Sequence, residues 1–177
     1  MSSINQLFTE KYRPKKLDSL ILPDRVMKKF QNGVQQNMLF AGSPGTGKTS
    51  TAKALVNQWD LPYLYINAST DTSVDVIRTR ITDFCSTMSI LDDRDKFKVV
   101  ILDEADYISA DSVQPALRGF IEEFSANCRF IFTCNYKNRI IPALHSRTTV
   151  IDFKITPAEK PKLAQQFMKR VKTILDT

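Results

Sequence analysis

The segment at residues 42–49 limits the possible folds of this 177-residue chain more strongly than any other part of its sequence. It reads Gly-Ser-Pro-Gly-Thr-Gly-Lys-Thr, which is a glycine followed by four residues and then Gly-Lys-Thr. Glycines in this pattern let successive backbone N–H groups turn inward toward a phosphate, in conformations that residues with a Cβ avoid. Lys48 would add a cation beside the β- and γ-phosphates, and the Thr49 hydroxyl would ligate Mg²⁺. The segment therefore predicts a phosphate-binding loop.

The residues on either side of the loop support this interpretation. Residues 37–41 form a short apolar run that suits a buried strand, and residues 51–59 are compatible with a helix. A helix that starts directly behind the loop would direct the positive end of its dipole at the phosphate. The nucleotide contacts predicted for this strand–loop–helix unit are Ser43, Pro44, Gly45, Thr46, Gly47, Lys48, Thr49 and Ser50.

Composition limits the class of protein and the kind of partner. With 42% hydrophobic and 25% charged residues, the chain is typical of a globular domain that buries a core. No apolar run approaches the ~20 residues of a membrane span. We therefore expect a protein without a membrane partner, located in the cytoplasm (the host's, for a virus) or in the nucleus of a eukaryote. The net charge of +6 is compatible with a polyanionic partner such as nucleic acid.

The cysteines give no sign of a metal site or a disulfide. Three cysteines and one histidine do not suffice for a metal site. Cys128 and Cys134 would lie about 20 Å apart on one predicted strand, which is too far for a disulfide. We expect reduced, buried thiols, as in a reducing compartment.

Four further apolar runs have the length and composition of strands. The predicted strands are residues 62–67, 97–102, 129–134 and 148–153. One helix is predicted at residues 24–32, where Gly33 stops it. A second helix is predicted to start at a Thr72–Asp75 capping pair, and its inward-facing residues would be Val76, Ile77, Ile81, Phe84 and Met88. A third helix is predicted at 111–124, with Pro115 in its first turn. Strands that alternate with helices after a phosphate loop predict an α/β fold, with one five-stranded parallel sheet and helices on both faces.

Two carboxylates, Asp103 and Glu104, follow the strand predicted at 97–102. A nearly continuous β-branched run is typical of a parallel strand buried on both faces. Ligands of open α/β sheets bind at the carboxyl ends of such strands. Asp103 would therefore hold Mg²⁺ through water, and Glu104 would polarise the water that attacks the γ-phosphate. The alternative is a solvated strand end without a catalytic role.

Two polar residues near later strand ends have both a catalytic and a structural interpretation. Asn135 ends the strand at 129–134 and could bond the attacking water or the γ-phosphate, or it could cap a turn. Arg147 precedes the last strand and could stabilise transition-state charge on a nucleotide held by a neighbouring subunit. It could equally form a surface ion pair, and the residues alone leave both interpretations open.

Both ends of the chain carry features outside this core. Tyr12, Arg13 and Pro14, flanked by lysines, form a rigid stretch that could contact a base or a phosphate, or could be a solvated basic arm. Near the other end, residues 156–159 resemble a capping box that opens a helix. The apolar stripe of that helix, which we expect to pack against another surface, is Leu163, Phe167, Val171 and Leu175.

Together these pieces resemble the AAA+ clamp-loader ATPases, namely the ATPase subunit of T4-like bacteriophages and the small subunits of replication factor C. The resemblance runs from Lys11 to about Ile155 and rests on segments in matching order and spacing. These segments are residues 11–14, 42–49, 99–106, 114–118, 133–135 and 140–147. The resemblance implies a P-loop NTPase of the AAA+ type that uses ATP and Mg²⁺, with an adenine-side platform at Tyr12, Arg13 and Pro14.

The resemblance also implies roles for residues that the sequence alone leaves open. Asn135 looks like a γ-phosphate sensor, and Arg147 looks like the finger that one subunit supplies to its neighbour. Coupling residues are implied at Gln114 and Arg118, and contacts to the backbone of a DNA duplex inside the ring at Arg78 and Thr79.

The implied function is that of a clamp-loader ATPase subunit. ATP binding and hydrolysis would open a sliding clamp and load it on primer–template DNA, in a hetero-oligomeric ring or spiral with other subunits. Thr148 replaces the family's cysteine, which hardly affects Arg147. Because the family continues into a helical lid and a collar, we expect a nucleotide-binding core at residues 1–155 and the first helix of a truncated lid at 156–177. Such an isolated chain should hydrolyse ATP weakly or not at all.

Two other functions fit parts of the same pattern. A related AAA+ DNA motor, such as a branch-migration helicase or a helicase loader, shares the phosphate loop, the acidic pair and sometimes the basic arm. A nucleotide-binding scaffold subunit would hold ATP without turnover, although Glu104 and Arg147 argue against it.

Overall fold

The computed structural model describes residues 12–70, 73–87 and 97–176 of the chain. Its strands are β1 (Met38–Ala41), β2 (Tyr63–Asn67), β3 (Lys98–Asp103), β4 (Cys128–Cys134) and β5 (Thr149–Asp152). Its α-helices are α1 (Asp24–Met27), α2 (Lys48–Gln58), α3 (Val74–Ser86), α4 (Val113–Glu123), α5 (Pro142–His145) and α6 (Lys160–Leu175). Short 3₁₀ turns lie at Leu17–Ser19, Lys28–Phe30, Ala105–Tyr107 and Lys137–Arg139. Among the helices in these ranges, none has both the length and the apolar character needed to cross a membrane.

The described strands form one parallel sheet, as the sequence predicts. Their order is β2-β3-β4-β1-β5, so β1 lies between β4 and β5, and β3 lies between β2 and β4. Ala41 is paired with Cys134, and Asn67 is paired with Asp103. The carboxyl ends of these strands therefore meet at one edge, and the segments that follow β1, β3 and β4 come together there.

Helices cover both faces of the sheet because its central strands are apolar on both sides. Successive side chains of a strand point to opposite faces. Val100 and Leu102 of β3 are buried in one cluster with residues of α3 and α4. Val99 and Ile101 are buried in a second cluster with residues of α1 and α2. This double burial explains the continuous apolar run in β3 and confirms the predicted layers.

Two helices can be compared directly with their predicted boundaries. The helix predicted at 24–32 is split, because α1 ends at Met27 and a 3₁₀ turn follows it. Gly33 ends this segment with a φ of 71°, in the role predicted for it. α4 begins at Val113, so Pro115 lies in its first turn, where a missing N–H removes no helical hydrogen bond.

The buried side of α3 differs from the predicted stripe. Val76, predicted to face inward, is 47% exposed, so that prediction was wrong. The residues of α3 that are buried are Ile77, Ile81 and Cys85, whose i, i+4, i+8 spacing leaves Val76 to one side. Ser73 precedes the helix and makes no side-chain capping bond. Thr72, Met88, the charged residues at 92–96 and residues 1–11 lie outside the described residues.

The C-terminal helix α6 begins later than the capping box predicts. The Glu159 carboxylate accepts hydrogen bonds from the Thr156 N–H at 2.8 Å and from its hydroxyl at 2.9 Å. Thr156 and Glu159 therefore pair as predicted, but they close a separate turn that precedes the helix. Leu163 is buried, whereas Phe167 is 58% and Leu175 is 79% exposed. Within the described residues, the predicted stripe packs on the core mainly through Leu163.

All three cysteines lie in the described part of the chain, and each is a buried free thiol, as predicted. The sulfur atoms of Cys85 and Cys128 are 3.3 Å apart, a contact between α3 and β4 that sequence spacing does not suggest. The hydrogen bond between these thiols, together with burial, raises the pKa of Cys128. Burial raises the pKa of the Cys134 thiol to about 11.

We expect Cys134 to react slowly with a disulfide reagent in the native chain. With a pKa of about 11, its thiol holds at least ~100-fold less thiolate at pH 8 than an unfolded cysteine does. Labelling with Ellman's reagent at pH 8, followed by peptide mapping, measures the rate in native and guanidinium-unfolded protein. Equal rates in the two states would contradict the buried position of this thiol.

Candidate nucleotide-binding site

The phosphate loop joins β1 to α2 at the carboxyl edge of the sheet. Gly45 and Gly47 have φ angles of 77° and 89°, in the left-handed region that favours glycine. At Gly42 there is also no room for a side chain, since a Cβ there would lie 3.0 Å from the Cβ of Phe153. α2 begins at Lys48, directly behind the loop. The positive end of its dipole is therefore directed at the loop.

Lys48 is buried at the mouth of the loop, where its ammonium group has three acceptors. Its Nζ donates to the carbonyl oxygens of Gly42 and Ser43 at 2.8 and 2.9 Å, and to Asn135 Oδ1 at 2.9 Å. Burial lowers the pKa of Lys48, and neighbouring thiol and carboxyl groups oppose that shift. The loop, its lysine and the end of β4 therefore meet at one point.

Asp103 ends β3 with its carboxylate next to the start of α2. It is 5% exposed, and its Oδ1 accepts a hydrogen bond of 2.7 Å from the Thr49 hydroxyl. Thr133 of β4 donates to the same oxygen at 2.5 Å. A hydroxyl and a carboxylate are hard oxygen donors, the kind that Mg²⁺ prefers. The residues present therefore fit Mg²⁺, which Thr49 would ligate with Asp103 beside it.

Glu104 has a backbone conformation that is unusual for a glutamate. Its φ is 56°, in the left-handed region, which costs about 1–2 kcal/mol for a residue with a Cβ. Its N–H donates to Thr133 Oγ1 at 3.0 Å, and this bond holds the turn. The side chain lines the same cavity as Lys48 and Thr49. Strain of this kind is concentrated at functional sites.

Nine of the predicted site residues line one cavity of about 340 Å³. It is lined by Arg13, Pro44, Gly45, Gly47, Lys48, Thr49, Ser50, Glu104, Thr133, Cys134 and Asn135. A second cavity of about 880 Å³ lies beside it, between the stretch at residues 12–14, the phosphate loop and α6.

The predicted adenine-side platform is divided between the two cavities, because Arg13 lines the first cavity whereas Tyr12 and Pro14 line the second. Thr46 also lines the second cavity and donates its hydroxyl to the Ser43 carbonyl at 2.8 Å.

Two residues that sequence reasoning gave no role also belong to this site. Thr133 is 1% exposed, and a buried hydroxyl near the end of an apolar strand is the signal that could have found it. Asp106 Oδ2 accepts hydrogen bonds from the N–H groups of Asn135 at 3.2 Å and Tyr136 at 3.1 Å. Asp106 therefore holds the backbone that places the Asn135 side chain against Lys48.

Gln114 is fully buried and ties α4 to two other segments. Its Nε2 donates to the carbonyl oxygens of Ile108 at 3.0 Å and Arg139 at 2.9 Å, and its Oε1 accepts from the Ile141 N–H at 2.8 Å. These bonds connect α4 to the segments that follow β3 and β4. Arg118, the other predicted coupling residue, is exposed one turn further along α4.

Arg147 lies away from the cavity and forms an ion pair with Glu122 of α4. Its Nε and Nη2 donate to Glu122 Oε1 at 2.9 and 2.5 Å, and its Nη1 donates to the Ala143 carbonyl at 3.0 Å. The hydrogen bond from Arg147 lowers the pKa of Glu122. Within the single chain, Arg147 therefore takes the ion-pair role and does not reach its own phosphate loop.

Arg78 and Thr79, the predicted DNA contacts, are exposed on α3. Neither residue lines the two cavities described above. Their neighbour Arg80 instead donates to the Tyr65 carbonyl at 3.1 Å. Arg78 and Thr79 are thus accessible from solvent, on an element separate from the phosphate loop.

Curated proteins with similar sequences include replication factor C small subunits. The one from Archaeoglobus fulgidus is 40% identical over 166 residues, which are 89% of this chain and 51% of that protein. The one from Thermofilum pendens is 42% identical over 161 residues, which are 86% of this chain and 49% of that protein. The chain therefore spans about half the length of these curated relatives.

Solved structures with the same architecture include RuvB of Thermotoga maritima, a Holliday junction branch migration motor. It superposes with a TM-score of 0.71 at 20% identity, covering 94% of this chain and 55% of that one. At this identity the structural similarity shows a shared fold, and it does not show that the two proteins share an activity.

The sequence also matches a known family over residues 38–156, a range that contains all five described strands, the phosphate loop and the acidic pair. That family is described as the ATPase family associated with various cellular activities (AAA). The match covers more than half of the chain and agrees with the parallel sheet and the loop geometry. The chain is therefore a member of the AAA family of ATPases.

Proposed function

We propose that the chain is the nucleotide-binding core of a clamp-loader ATPase subunit. The observation that carries this proposal is the 2.7 Å contact between Thr49 and Asp103, made beside the buried ammonium group of Lys48. It brings together the groups needed to hold a nucleotide and its Mg²⁺. Similarity to replication factor C small subunits supports a role in replication. ATP binding and hydrolysis would open a sliding clamp and load it on primer–template DNA.

Each residue of the site has its own task in this proposal. Lys48 and the backbone N–H groups of the loop hold the β- and γ-phosphates. Thr49 and, through water, Asp103 would hold Mg²⁺, which would supply positive charge to offset the charge that develops on the phosphoryl group. Glu104 polarises the attacking water. Asn135, which contacts Lys48 at 2.9 Å, hydrogen-bonds that water or the γ-phosphate.

In the same proposal, Arg147 acts on the nucleotide of a neighbouring subunit. Its side chain is 31% exposed and lies away from its own cavity, which supports this role. The γ-phosphate of a neighbour would replace Glu122 as the partner of the guanidinium group. An isolated chain would lack this catalytic group, so it would bind magnesium nucleotide but hydrolyse ATP slowly or not at all.

The proposal also names the partners and the division of the chain. The partners are other loader subunits in a hetero-oligomeric ring or spiral, a sliding clamp and primer–template DNA. Arg78 and Thr79 would contact DNA phosphates, so binding would have little sequence preference and would weaken steeply with salt. Residues 1–155 would form the nucleotide-binding core, and 156–177 the first lid helix. The remaining roles proposed are the adenine-side platform at Tyr12, Arg13 and Pro14, and coupling at Gln114 and Arg118.

ATP turnover by the assembled complex tests the proposed function. The chain would be purified through an affinity tag together with its partner subunits, and phosphate release would be measured with primed DNA, with clamp, with both and with neither. We expect the highest turnover with both, and turnover near background for the isolated chain. Absence of stimulation would contradict the clamp-loader function, and rapid turnover by the monomer would contradict the role of Arg147 in a neighbour's site. Unwinding of a branched duplex without a clamp would instead favour a branch-migration motor.

A further inference from the structure

Asp103 is held from both sides by hydroxyl groups of the two neighbouring strands. Thr133 of β4 donates to Oδ1 at 2.5 Å, and Tyr65 of β2 donates to Oδ2 at 2.7 Å. Because β3 lies between β2 and β4, the carboxylate is tied to both neighbours. Thr49 adds a third donor, to Oδ1 at 2.7 Å. Each carboxylate oxygen therefore has a fixed partner.

The register of the sheet explains how Tyr65 reaches this carboxylate. Asn67 of β2 lies directly opposite Asp103, and Tyr65 lies two residues earlier on β2. Side chains two residues apart on a strand share one face of the sheet. A long aromatic side chain can reach such a diagonal neighbour on the next strand.

A second contact restrains the ring of Tyr65. Lys53 Nζ lies 4.1 Å from the ring centroid, a distance at which an ammonium group is attracted to an aromatic face. Lys53 follows Thr49 by four residues on α2, so the two side chains leave the same face of the helix. α2 therefore supplies one group to Asp103 and another to the tyrosine that holds Asp103.

We propose that Tyr65 is a positioning residue for the metal–nucleotide site, an inference that deepens the proposed function and rests on it. Rotation of an aspartate carboxylate about its Cβ–Cγ bond is soft. The Tyr65 hydroxyl fixes this rotation from the Oδ2 side, so that Oδ1 faces Thr49. Without that hydroxyl, Asp103 is held through one oxygen only, and the two groups that would hold Mg²⁺ lose their mutual alignment.

Tyr65→Phe tests the proposal because it removes the hydroxyl and keeps the ring with its contact to Lys53. The full chain would be mixed with a fluorescent ADP analogue and titrated with Mg²⁺, and the affinity for the analogue would also be measured in EDTA. Loss of a group that orients a metal ligand typically weakens metal binding by roughly 10–100-fold, so we expect the half-saturating Mg²⁺ concentration to rise about tenfold. The affinity in EDTA should not change.

Tyr63→Phe is the matched control. Tyr63 lies on the same strand, two residues before Tyr65, and is 41% exposed. This variant should bind the analogue as the wild-type chain does, with and without Mg²⁺. The measured quantity is the ratio of the two affinities for each variant, so a smaller folded fraction affects both measurements alike.

The titration separates this inference from the proposed function. An unchanged Mg²⁺ requirement in Tyr65→Phe would overturn the inference and leave the proposed function standing. Equal loss of affinity with and without Mg²⁺ would also overturn it, because that result indicates a structural role alone. Failure of the wild-type chain to bind the analogue with Mg²⁺ would overturn both.

Discussion

Replacing Lys48 with alanine is expected to weaken ATP binding by at least about 100-fold. The three acceptors of its Nζ place the ammonium group at the mouth of the loop, in reach of the β- and γ-phosphates. A hydrogen bond to a charged group contributes about 1.5–3 kcal/mol, so two such bonds correspond to a factor of at least ~100 in affinity. Isothermal titration calorimetry with ATP and Mg²⁺ on the purified chain measures the difference.

Lys29→Ala is the control for this experiment, because Lys29 is an exposed lysine on a 3₁₀ turn that lines neither cavity of the site. It removes the same charge from the chain and should leave ATP affinity unchanged. Thermal unfolding of both variants checks that each is folded. Wild-type affinity in folded Lys48→Ala would rule out phosphate binding by this loop.

Arg147→Ala is expected to lower ATP turnover by the assembled complex by roughly 10³-fold, within the range for arginine fingers. The same variant should leave the ATP affinity of the isolated chain unchanged, because Arg147 does not line its own cavity. Phosphate release at saturating ATP, clamp and primed DNA measures the first effect, and calorimetry on the isolated chain measures the second. Wild-type turnover by the assembled variant would contradict the role in a neighbour's site.

Glu122→Gln separates the two interpretations of Arg147. It removes the negative charge that Arg147 contacts at 2.5 and 2.9 Å, and it leaves Arg147 in place. If Arg147 served only this ion pair, both variants would lower turnover to the same extent. If Arg147 acts on the nucleotide of a neighbour, the glutamine variant keeps most of the turnover and the alanine variant does not.

The sheet could be predicted from the sequence because the apolar composition of its strands reflects their burial in the core. β3 contains a continuous apolar run at residues 99–102 since both of its faces are buried, and a short run of this kind has few alternatives. Prediction was wrong where packing between elements decided the outcome. Val76 has an apolar side chain at a plausible helical spacing, yet it is 47% exposed because α3 turns its Ile77 face to the core.

Arg147 and Gln114 illustrate the same distinction within the site. The sequence left Arg147 open between an ion pair and a catalytic role, and the ion-pair partner proved to be Glu122, 25 residues away. Gln114 reads as an ordinary helical residue until the fold brings the Ile108 and Arg139 carbonyls to its amide. Neither set of partners could be read from local spacing.

By itself the sequence determined the phosphate loop, the acidic pair at a strand end and the alternation of strands and helices, since each depends on residues adjacent in the chain. Only the tertiary structure decided which hydroxyl groups donate to Asp103. Its three hydroxyl donors, Thr49, Tyr65 and Thr133, are 54, 38 and 30 residues away in sequence. They meet because β3 lies between β2 and β4, and because α2 begins next to the carboxyl end of β3. The spacing of these residues along the chain does not indicate that arrangement.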